Sequence, residues 1–296
     1  MSKNKDKKLS EENLKIILSM QQSELTESVI YKEIAKFTKG ENQKTLERLS
    51  EEEFAHYNIW KSYTDKEMKP QKLKVMWYKF LAKTLGFTFA VKLMENGEEV
   101  SQETYSKLVD EVPESINIRE MEEEHETALL DMLDEERLQY VGSMVLGLND
   151  ALVELTGTLA GLSFALQNTK LIALSGLITG ISATLSMASS EFLAAKSEGR
   201  NDAFKSCTYT GIAYLLTVVF LIAPYLILGN AQFMLALAIM LITVVLIIAG
   251  FNFYLAVAQG EPFKKRFLEM ATISLGVAIL SFVIGIFVKQ FLGIDI

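Results

Sequence analysis

The sequence predicts an all-α protein in two parts, a water-soluble four-helix bundle over residues 1–138 and five membrane-spanning helices over residues 139–296. Proline occurs only at positions 70, 113, 224 and 262, and no segment alternates apolar and polar residues as a half-buried strand does. Apolar residues make up 50% of the 296-residue chain, which is high for a soluble protein.

The net negative charge of the chain lies in its first part. Residues 1–138 hold 21 Lys+Arg and 29 Asp+Glu, whereas residues 139–296 hold eight of each. An acidic, glutamate-rich domain attracts cations, so we expect no nucleic acid partner. Cys207 is the single cysteine, which excludes an intrachain disulfide and a Cys-x-x-Cys metal site. The N-terminus up to Leu9 lacks the apolar core of a signal peptide, so we expect the first part to stay in the cytosol.

Four helices are predicted in the first part, at roughly 10–39, 42–67, 71–111 and 114–137. Gly40 can end the first helix. Pro70 and Pro113 fall at breaks, where proline is tolerated near a helix start. The third helix is predicted to bend near Gly97.

Each of the two histidines follows a glutamate by three residues, as Glu53-x-x-His56 and Glu122-x-x-His125. Residues i and i+3 share a helix face, so each pair can offer a carboxylate and an imidazole to one point in space. Two such pairs, together with one glutamate from each of two other helices, make a di-iron carboxylate centre inside a four-helix bundle.

Glutamates also interrupt the apolar faces of the first and third predicted helices. Glu24 lies in such a face, seven residues before Tyr31, and Glu27 lies on a neighbouring line. In the third helix, Glu95 and Glu98 follow an apolar run. A carboxylate is costly to bury without a partner, and a metal ion is such a partner. The pattern leaves open whether Glu24 or Glu27 is the first-helix ligand.

In their order and spacing these motifs resemble the ferritin-like and rubrerythrin-like proteins. The resemblance implies a di-iron centre whose ligands come from all four helices, with two further glutamates as secondary ligands. The six implied ligands are Glu24, Glu53, His56, Glu95, Glu122 and His125, and the secondary ones are Glu27 and Glu98. Oxygen and imidazole ligands favour iron or manganese over the zinc of thiolate sites.

Five apolar runs follow, near residues 141–166, 171–195, 207–229, 231–258 and 268–292. Each is long enough for a helix to cross about 30 Å of hydrocarbon. Most lysines and arginines of this part fall at run ends and loops that share one side of the membrane, while Lys170 and Lys289 lie on the other. The positive-inside rule therefore predicts a multi-pass cell-membrane protein with a cytosolic first part and an outside C-terminus.

Acidic and thioether side chains in the first two runs mark a candidate transport path. Asp150 lies about nine residues into the first run, near the membrane midplane at 1.5 Å per residue, and Glu154 follows one turn later. Met187 and Glu191 are also four residues apart, in the second run. An acid within the membrane is a functional hypothesis by default, and a thioether facing it can bind iron(II) as a soft ligand.

The segments 147–153 and 186–198 resemble the vacuolar iron transporter family. The resemblance implies five membrane helices, a homodimer, exchange of ferrous iron for protons, and transport roles for Asp150 and Met187. Plant-type members carry a long metal-binding insert between the second and third helices, where this chain has only about ten residues. The ferritin-like bundle is the obvious substitute, and the fused arrangement resembles the erythrin–vacuolar iron transporter type of membrane-bound ferritin.

Three functions stay open on the sequence. The first is a proton-coupled iron(II) exporter, with Glu198 and Asp202 at the cytosolic mouth either attracting cations or merely solvated. The second is a membrane-anchored di-iron oxidase or peroxidase, because two iron(II) ions held this way can be oxidised together by oxygen or peroxide. The third is a manganese exporter. The motifs Gly157-x-x-x-Gly161 and Gly176-x-x-x-Gly180 fit a dimer contact or packing within one chain.

Overall fold

A computed structural model of the chain describes residues 10–95, 108, 111–131, 140–260 and 262–292. These residues form ten α-helices and no strand, which confirms the predicted all-α class. The chain divides into two compact units, Met1–Glu135 and Glu136–Ile296.

The described part of the first unit contains five helices: α1 Glu11–Ala35, α2 Glu41–Thr64, α3 Lys72–Thr84, α4 Phe87–Glu95 and α5 Ser115–Asp131. Ser10 begins α1, because its side chain accepts a hydrogen bond from the Asn13 amide at 3.1 Å. Helices α1 and α2 pack along their length, and Leu46, Leu49 and Trp60 of α2 are fully buried. This pair forms the frame of the unit.

Helix α3 runs beside α1 in the same direction. Lys74 Nζ lies 2.9 Å from Glu27 Oε1, and Lys79 Nζ lies 2.6 Å from Glu33 Oε2. Further along both helices, Lys83 lies over the Phe37 ring, 5.5 Å from its centroid. Residue numbers rise together in all three contacts, so α3 runs along α1 toward the C-terminal end of α1.

The chain then reverses, so the prediction of one helix over 71–111 is wrong. Helix α3 ends at Thr84, and Gly86 adopts φ +105°, a backbone conformation that glycine reaches without steric cost. Helix α4 returns along α1, which brings Glu95 to Tyr31. The predicted bend at Gly97 lies outside the described residues. It is α4, and not α3, that carries Glu95 to the centre of the unit.

The second unit contains α6 Val141–Leu166, α7 Thr169–Ser197, α8 Ala203–Ile227, α9 Phe233–Gln259 and α10 Phe263–Leu292. All five are long and apolar enough to cross a membrane, which confirms the five predicted runs. Asn168 starts α7 by accepting hydrogen bonds from the amides of Lys170 and Leu171 at 3.0 and 3.3 Å.

Small residues let α6 and α10 approach closely. A Cβ added at Gly157 would lie 2.9 Å from Ser281 Oγ, and one added at Gly285 would lie 2.6 Å from the carbonyl oxygen of Gly161. Both distances are below ordinary contact, so the first small-residue motif of the sequence is used for packing within the chain.

The second motif is used in the same way. A Cβ at Gly176 would lie 2.6 Å from Leu159 Cδ2, and one at Gly180 would lie 2.6 Å from Val218 Cγ1. Helix α7 thus packs its glycines against α6 and α8 of the same chain. The two motifs serve packing within one chain and give no support to a dimer contact.

Candidate metal centre

Helices α1, α2 and α5 bring four potential metal ligands to one place in the first unit. Glu24, Glu53, His56 and Glu122 each offer one ligand atom, and these atoms all lie within 4.8 Å of one another. Glu24, Glu53 and His56 are buried, and Glu122 is half-buried. The i, i+3 spacing places Glu53 beside His56 on one face of α2, as predicted.

His56 lies at the centre of this cluster. Its Nδ1 is 3.1 Å from Glu122 Oε1, 3.5 Å from Glu24 Oε2 and 3.6 Å from Glu53 Oε2. Within the described part of the chain, neither ring nitrogen of His56 makes a hydrogen bond, and neither does Glu53 Oε2. Buried polar atoms of this kind normally have a partner, and these three point to a ligand.

The charge balance of the cluster favours a cation. Burial disfavours the charged imidazolium of His56, but the carboxylates of Glu122, Glu24 and Glu53 outweigh burial and raise its pKa to about 12. Burial also raises the pKa of Glu53, with the charge of Glu122 adding to the effect. The buried carboxylates of Glu24 and Glu53 and the half-buried one of Glu122 therefore need positive charge close by, which a divalent ion can supply.

His125 extends the cluster on the far side of two of these carboxylates. Its Nδ1 lies 3.1 Å from Glu53 Oε1 and 3.5 Å from Glu122 Oε2. The two imidazole rings are nearly parallel, with centroids 5.7 Å apart. Burial alone would raise the pKa of Glu122, but the two histidines lower it to about 2. Glu53 and Glu122 thus face both histidines, an arrangement that suits carboxylates bridging two ions.

Glu95 and Glu27 have separate partners. The Tyr31 hydroxyl donates a hydrogen bond to Glu95 Oε1. Burial raises the pKa of Glu95 to about 7, although this hydrogen bond opposes the shift. Glu27 is 3% exposed and forms an ion pair with Lys74. Of the two candidate first-helix ligands, Glu24 joins the cluster. Glu98 lies outside the described residues.

Two further side chains hold the candidate ligands in place, and neither was predicted from the sequence. Trp60 is fully buried, and its Nε1 donates a hydrogen bond to Glu24 Oε1 at 3.0 Å. Glu52 Oε2 lies 2.9 Å from Nε2 of His125, the ring nitrogen that faces away from Glu53. Trp60 lies one helical turn after His56, a spacing that could have indicated it.

The residues present fit a divalent metal. The cluster offers carboxylate oxygens and an imidazole nitrogen, and neither ring nitrogen of the buried His56 makes a hydrogen bond to the described residues. Such donors suit iron(II) and manganese(II) alike.

A second polar cluster lies in the second unit at one end of α6, α7 and α8. Glu191 Oε1 accepts hydrogen bonds from Ser143 Oγ at 3.0 Å and from Ser206 Oγ, and the two hydroxyls are 2.7 Å apart. Arg200 Nη1 lies 3.9 Å from Glu191 Oε1. A cavity of about 410 Å³ is lined by Gly142, Ser143, Leu146, Glu191 and Arg200.

The two residues predicted at the mouth are joined to this cluster through Arg200. Its guanidinium donates to both carboxylate oxygens of Asp202, at 3.1 and 3.0 Å, and these hydrogen bonds lower the pKa of Asp202. Glu198 is exposed and lies 4.0 Å from Arg200 Nη1. The arginine therefore offsets part of the negative charge around Glu191.

The model of the VIT family matches residues 141–203, from the start of α6 to the first residue of α8. Residues 141–203 form a VIT family domain. Neither the curated proteins nor the solved structures contain a match to the chain. The match and the five apolar helices indicate a multi-pass membrane protein that transports metal ions.

The VIT family domain holds the four predicted path residues in two pairs. On α6, Asp150 is half-buried, and the exposed Glu154 accepts a hydrogen bond from the Tyr214 hydroxyl at 2.8 Å. On α7, Met187 packs against the apolar core, while Glu191 belongs to the serine cluster. No hydrogen bond or ion pair among the described residues joins the acids of α6 to Glu191.

Proposed function

We propose that this protein is an iron(II) exporter, in which a ferritin-like bundle over 1–138 captures the ion and the domain over 139–296 moves it out of the cytosol in exchange for protons. The observation that carries the proposal is the buried ligand cluster of Glu24, Glu53, His56 and Glu122 in a chain with a VIT family domain. One part has a ligand set that fits a divalent ion, and the other contains the match to the VIT family over residues 141–203.

In the bundle, one ion would be held by Glu24, His56, Glu53 and Glu122, and a second by Glu95, His125 and the same two shared glutamates. Bound iron supplies redox chemistry toward oxygen or peroxide. The chain's own residues position the ligands: Trp60 holds Glu24, Glu52 orients His125, and Tyr31 holds Glu95. Glu27 is paired with Lys74, which makes it a reserve ligand.

In the membrane, Asp150, Glu154, Met187 and Glu191 would line the path. A carboxylate in this setting is stabilised by a bound cation or by a proton, so protonation displaces the metal. This exchange links metal export to proton uptake. Glu191, with two serine hydroxyls beside a cavity, serves as the mouth together with Glu198 and Asp202.

The orientation and the homodimer belong to the same proposal. The distribution of lysine and arginine supports a cytosolic bundle and an outside C-terminus. The carboxylate-bearing side chain of Glu154 is exposed on a membrane-capable helix of the single chain. An acid in contact with lipid is costly, and a second copy of the chain over this face would remove that cost.

Transport by purified protein in proteoliposomes tests the path. Replacing Asp150→Ala removes the midplane acid, and we expect iron(II) flux to fall to the level of empty vesicles. Thr243→Ala is a control, because this hydroxyl lies on another membrane-capable helix and donates to the Ile239 carbonyl oxygen of the same helix at 2.9 Å. Unchanged flux in Asp150→Ala would falsify the proposed path.

Competition between metal ions tests which ion is transported. With iron(II) as the measured ion, excess manganese(II) should compete only weakly if iron is the substrate. Equal competition, together with manganese flux at the same rate, would replace iron export by manganese export.

A membrane-anchored di-iron oxidase or peroxidase is the second candidate. It is favoured by two oxidisable side chains bonded to candidate ligands, Trp60 to Glu24 and Tyr31 to Glu95. The test is peroxide consumption by the iron-loaded full chain compared with His56→Ala. Turnover no faster than that of free iron would eliminate this function without touching transport.

A further inference from the structure

One face of α3 exposes large apolar side chains, although it belongs to the acidic, water-soluble unit. Leu73 is 80% exposed, Met76 is 62% exposed, and Trp77 and Phe80 are each 56% exposed. Their spacing of i, i+3, i+4 and i+7 places them on one side of the helix. The rings of Trp77 and Phe80 stack with centroids 6.0 Å apart. An apolar patch of this kind on a soluble unit marks an interaction surface.

The opposite face of α3 holds the helix on the bundle. Leu81 and Ala82 are each 5% exposed, and Lys74 and Lys79 pair with Glu27 and Glu33 of α1. The apolar strip therefore points outward from a helix that is fixed in place. The contacts of the opposite face fix the orientation of α3, so the apolar strip is not buried within its own unit.

The charge of α3 indicates which partner this apolar face binds. Helix α3 contains four lysines and no acidic residue, within a part of the chain whose net charge is −8. Lys72 and Lys83 are exposed beside the apolar strip, Lys83 over the Phe37 ring, and the other two lysines form ion pairs with α1. Lysines bordering a face of Trp, Phe and Leu are typical of helices that lie in the headgroup region of anionic membranes.

We propose that the outward face of α3, formed by Leu73, Met76, Trp77 and Phe80, docks on an anionic phospholipid surface. The apolar side chains enter the headgroup region, and Lys72 and Lys83 meet the lipid phosphates. The same chain carries five membrane-capable helices, so a bilayer is always present at high effective concentration. Pairing α3 with α3 of a second copy would instead bring lysines together with no acid on either helix to offset them.

The chain contains only two tryptophans, which makes the proposal directly measurable. Trp60 is fully buried and Trp77 is exposed, and residues 139–296 contain neither. The full chain is reconstituted without added metal into phosphatidylglycerol vesicles with brominated acyl chains, which quench indole fluorescence on contact. Subtracting the signal of Trp77→Phe isolates Trp77. We expect a blue-shifted Trp77 emission and about a twofold loss of its intensity.

A charge-matched pair of variants tests the lysines. Lys72→Gln with Lys83→Gln should reduce the quenching, whereas Lys15→Gln with Lys39→Gln, which remove the same charge from exposed sites elsewhere on the unit, should not. Quenching should also fall in purely zwitterionic vesicles. If brominated lipid does not quench Trp77, the proposal is wrong. In that case, quenching by aqueous acrylamide would show that Trp77 faces solvent. Protection from acrylamide would show that Trp77 faces another protein surface. The readout needs no transport, so it stands or fails separately from the export proposal.

Discussion

Glu53 shows how much of the candidate centre depends on single side chains. One of its oxygens lies 3.1 Å from His125 Nδ1, and the other lies 3.6 Å from His56 Nδ1 without a hydrogen bond. It is 2% exposed, so water does not stabilise its charge. Burial and the neighbouring carboxylates raise the pKa of Glu53, so its charged form needs a cation close by.

Trp60 gives a prediction at the same scale. Trp60→Phe keeps an aromatic ring but removes the hydrogen bond to Glu24 Oε1, which weakens the positioning of this ligand. Loss of such a support typically costs 10–100-fold in metal affinity, and we expect about tenfold weaker manganese(II) binding in a calorimetric titration. Trp77→Phe makes the same substitution at an exposed site and should bind as the wild type does. Equal affinities in both variants would contradict the assigned role.

The sequence indicates the helix face on which Trp60 lies, but not the hydrogen bond that it makes. The Glu-x-x-His spacing predicts which residues share a helix face, and the structure groups one such pair, Glu53 and His56, with Glu24 and Glu122 of other helices. The hydrogen bonds of Trp60 and Glu52 depend on how α2 is rotated against α1 and α5, which is a tertiary property. Periodicity carries no information about that rotation.

Among the elements, the third predicted helix differs most from the structure, which has two helices in its place. Apolar spacing continues from α3 into α4, so the pattern alone favours one long helix. The reversal at Gly86 is stabilised by contacts distant in sequence, Lys79 with Glu33 and Tyr31 with Glu95. A single glycine within a helical pattern is a weak signal, and tertiary packing decides its effect.

The membrane helices were easier to predict, because length and apolar composition suffice to recognise a spanning segment. How they pack against one another was not predictable, since a small-xxx-small motif fits either a neighbouring helix of the chain or a second copy. The structure shows both motifs packed against α6, α8 or α10 of the same chain.

The close approach of α6 and α10 gives a prediction with a matched control on one helix. Gly285→Ala places a Cβ 2.6 Å from the Gly161 carbonyl oxygen, and such overpacking costs about 1–3 kcal/mol. Gly276→Ala meets no atom within 4 Å and should be neutral or stabilising. Thermal unfolding of the detergent-solubilised full chain measures both. The interpretation of α6–α10 packing is wrong if Gly285→Ala unfolds at the wild-type temperature.

At the scale of the whole molecule, one chain combines an acidic unit with an almost neutral unit whose helices are apolar enough to cross a membrane. The negative field of the first unit raises the local concentration of divalent ions. The buried ligand cluster then selects for ions that accept oxygen and nitrogen donors. The surface charge of the unit thus attracts cations, and its buried ligands select among them.

Metal binding should therefore stabilise the folded chain. An ion that binds only the folded state adds about 2.7 kcal/mol at one hundred times its Kd, so excess manganese(II) should raise the unfolding temperature. Glu122→Gln removes a ligand and should abolish the shift. Glu124→Gln removes the same charge from an exposed position on α5 and should retain it. A full shift in Glu122→Gln would show that the ion binds elsewhere.

The placement of Glu53 and Glu122 between the two histidines has a consequence for stoichiometry. In the proposed two-ion centre neither glutamate would serve one ion alone, so filling one half would order the ligands of the other half. Occupancy should pass from zero to two with little of the singly loaded form in between. Removing either shared carboxylate should empty both halves together.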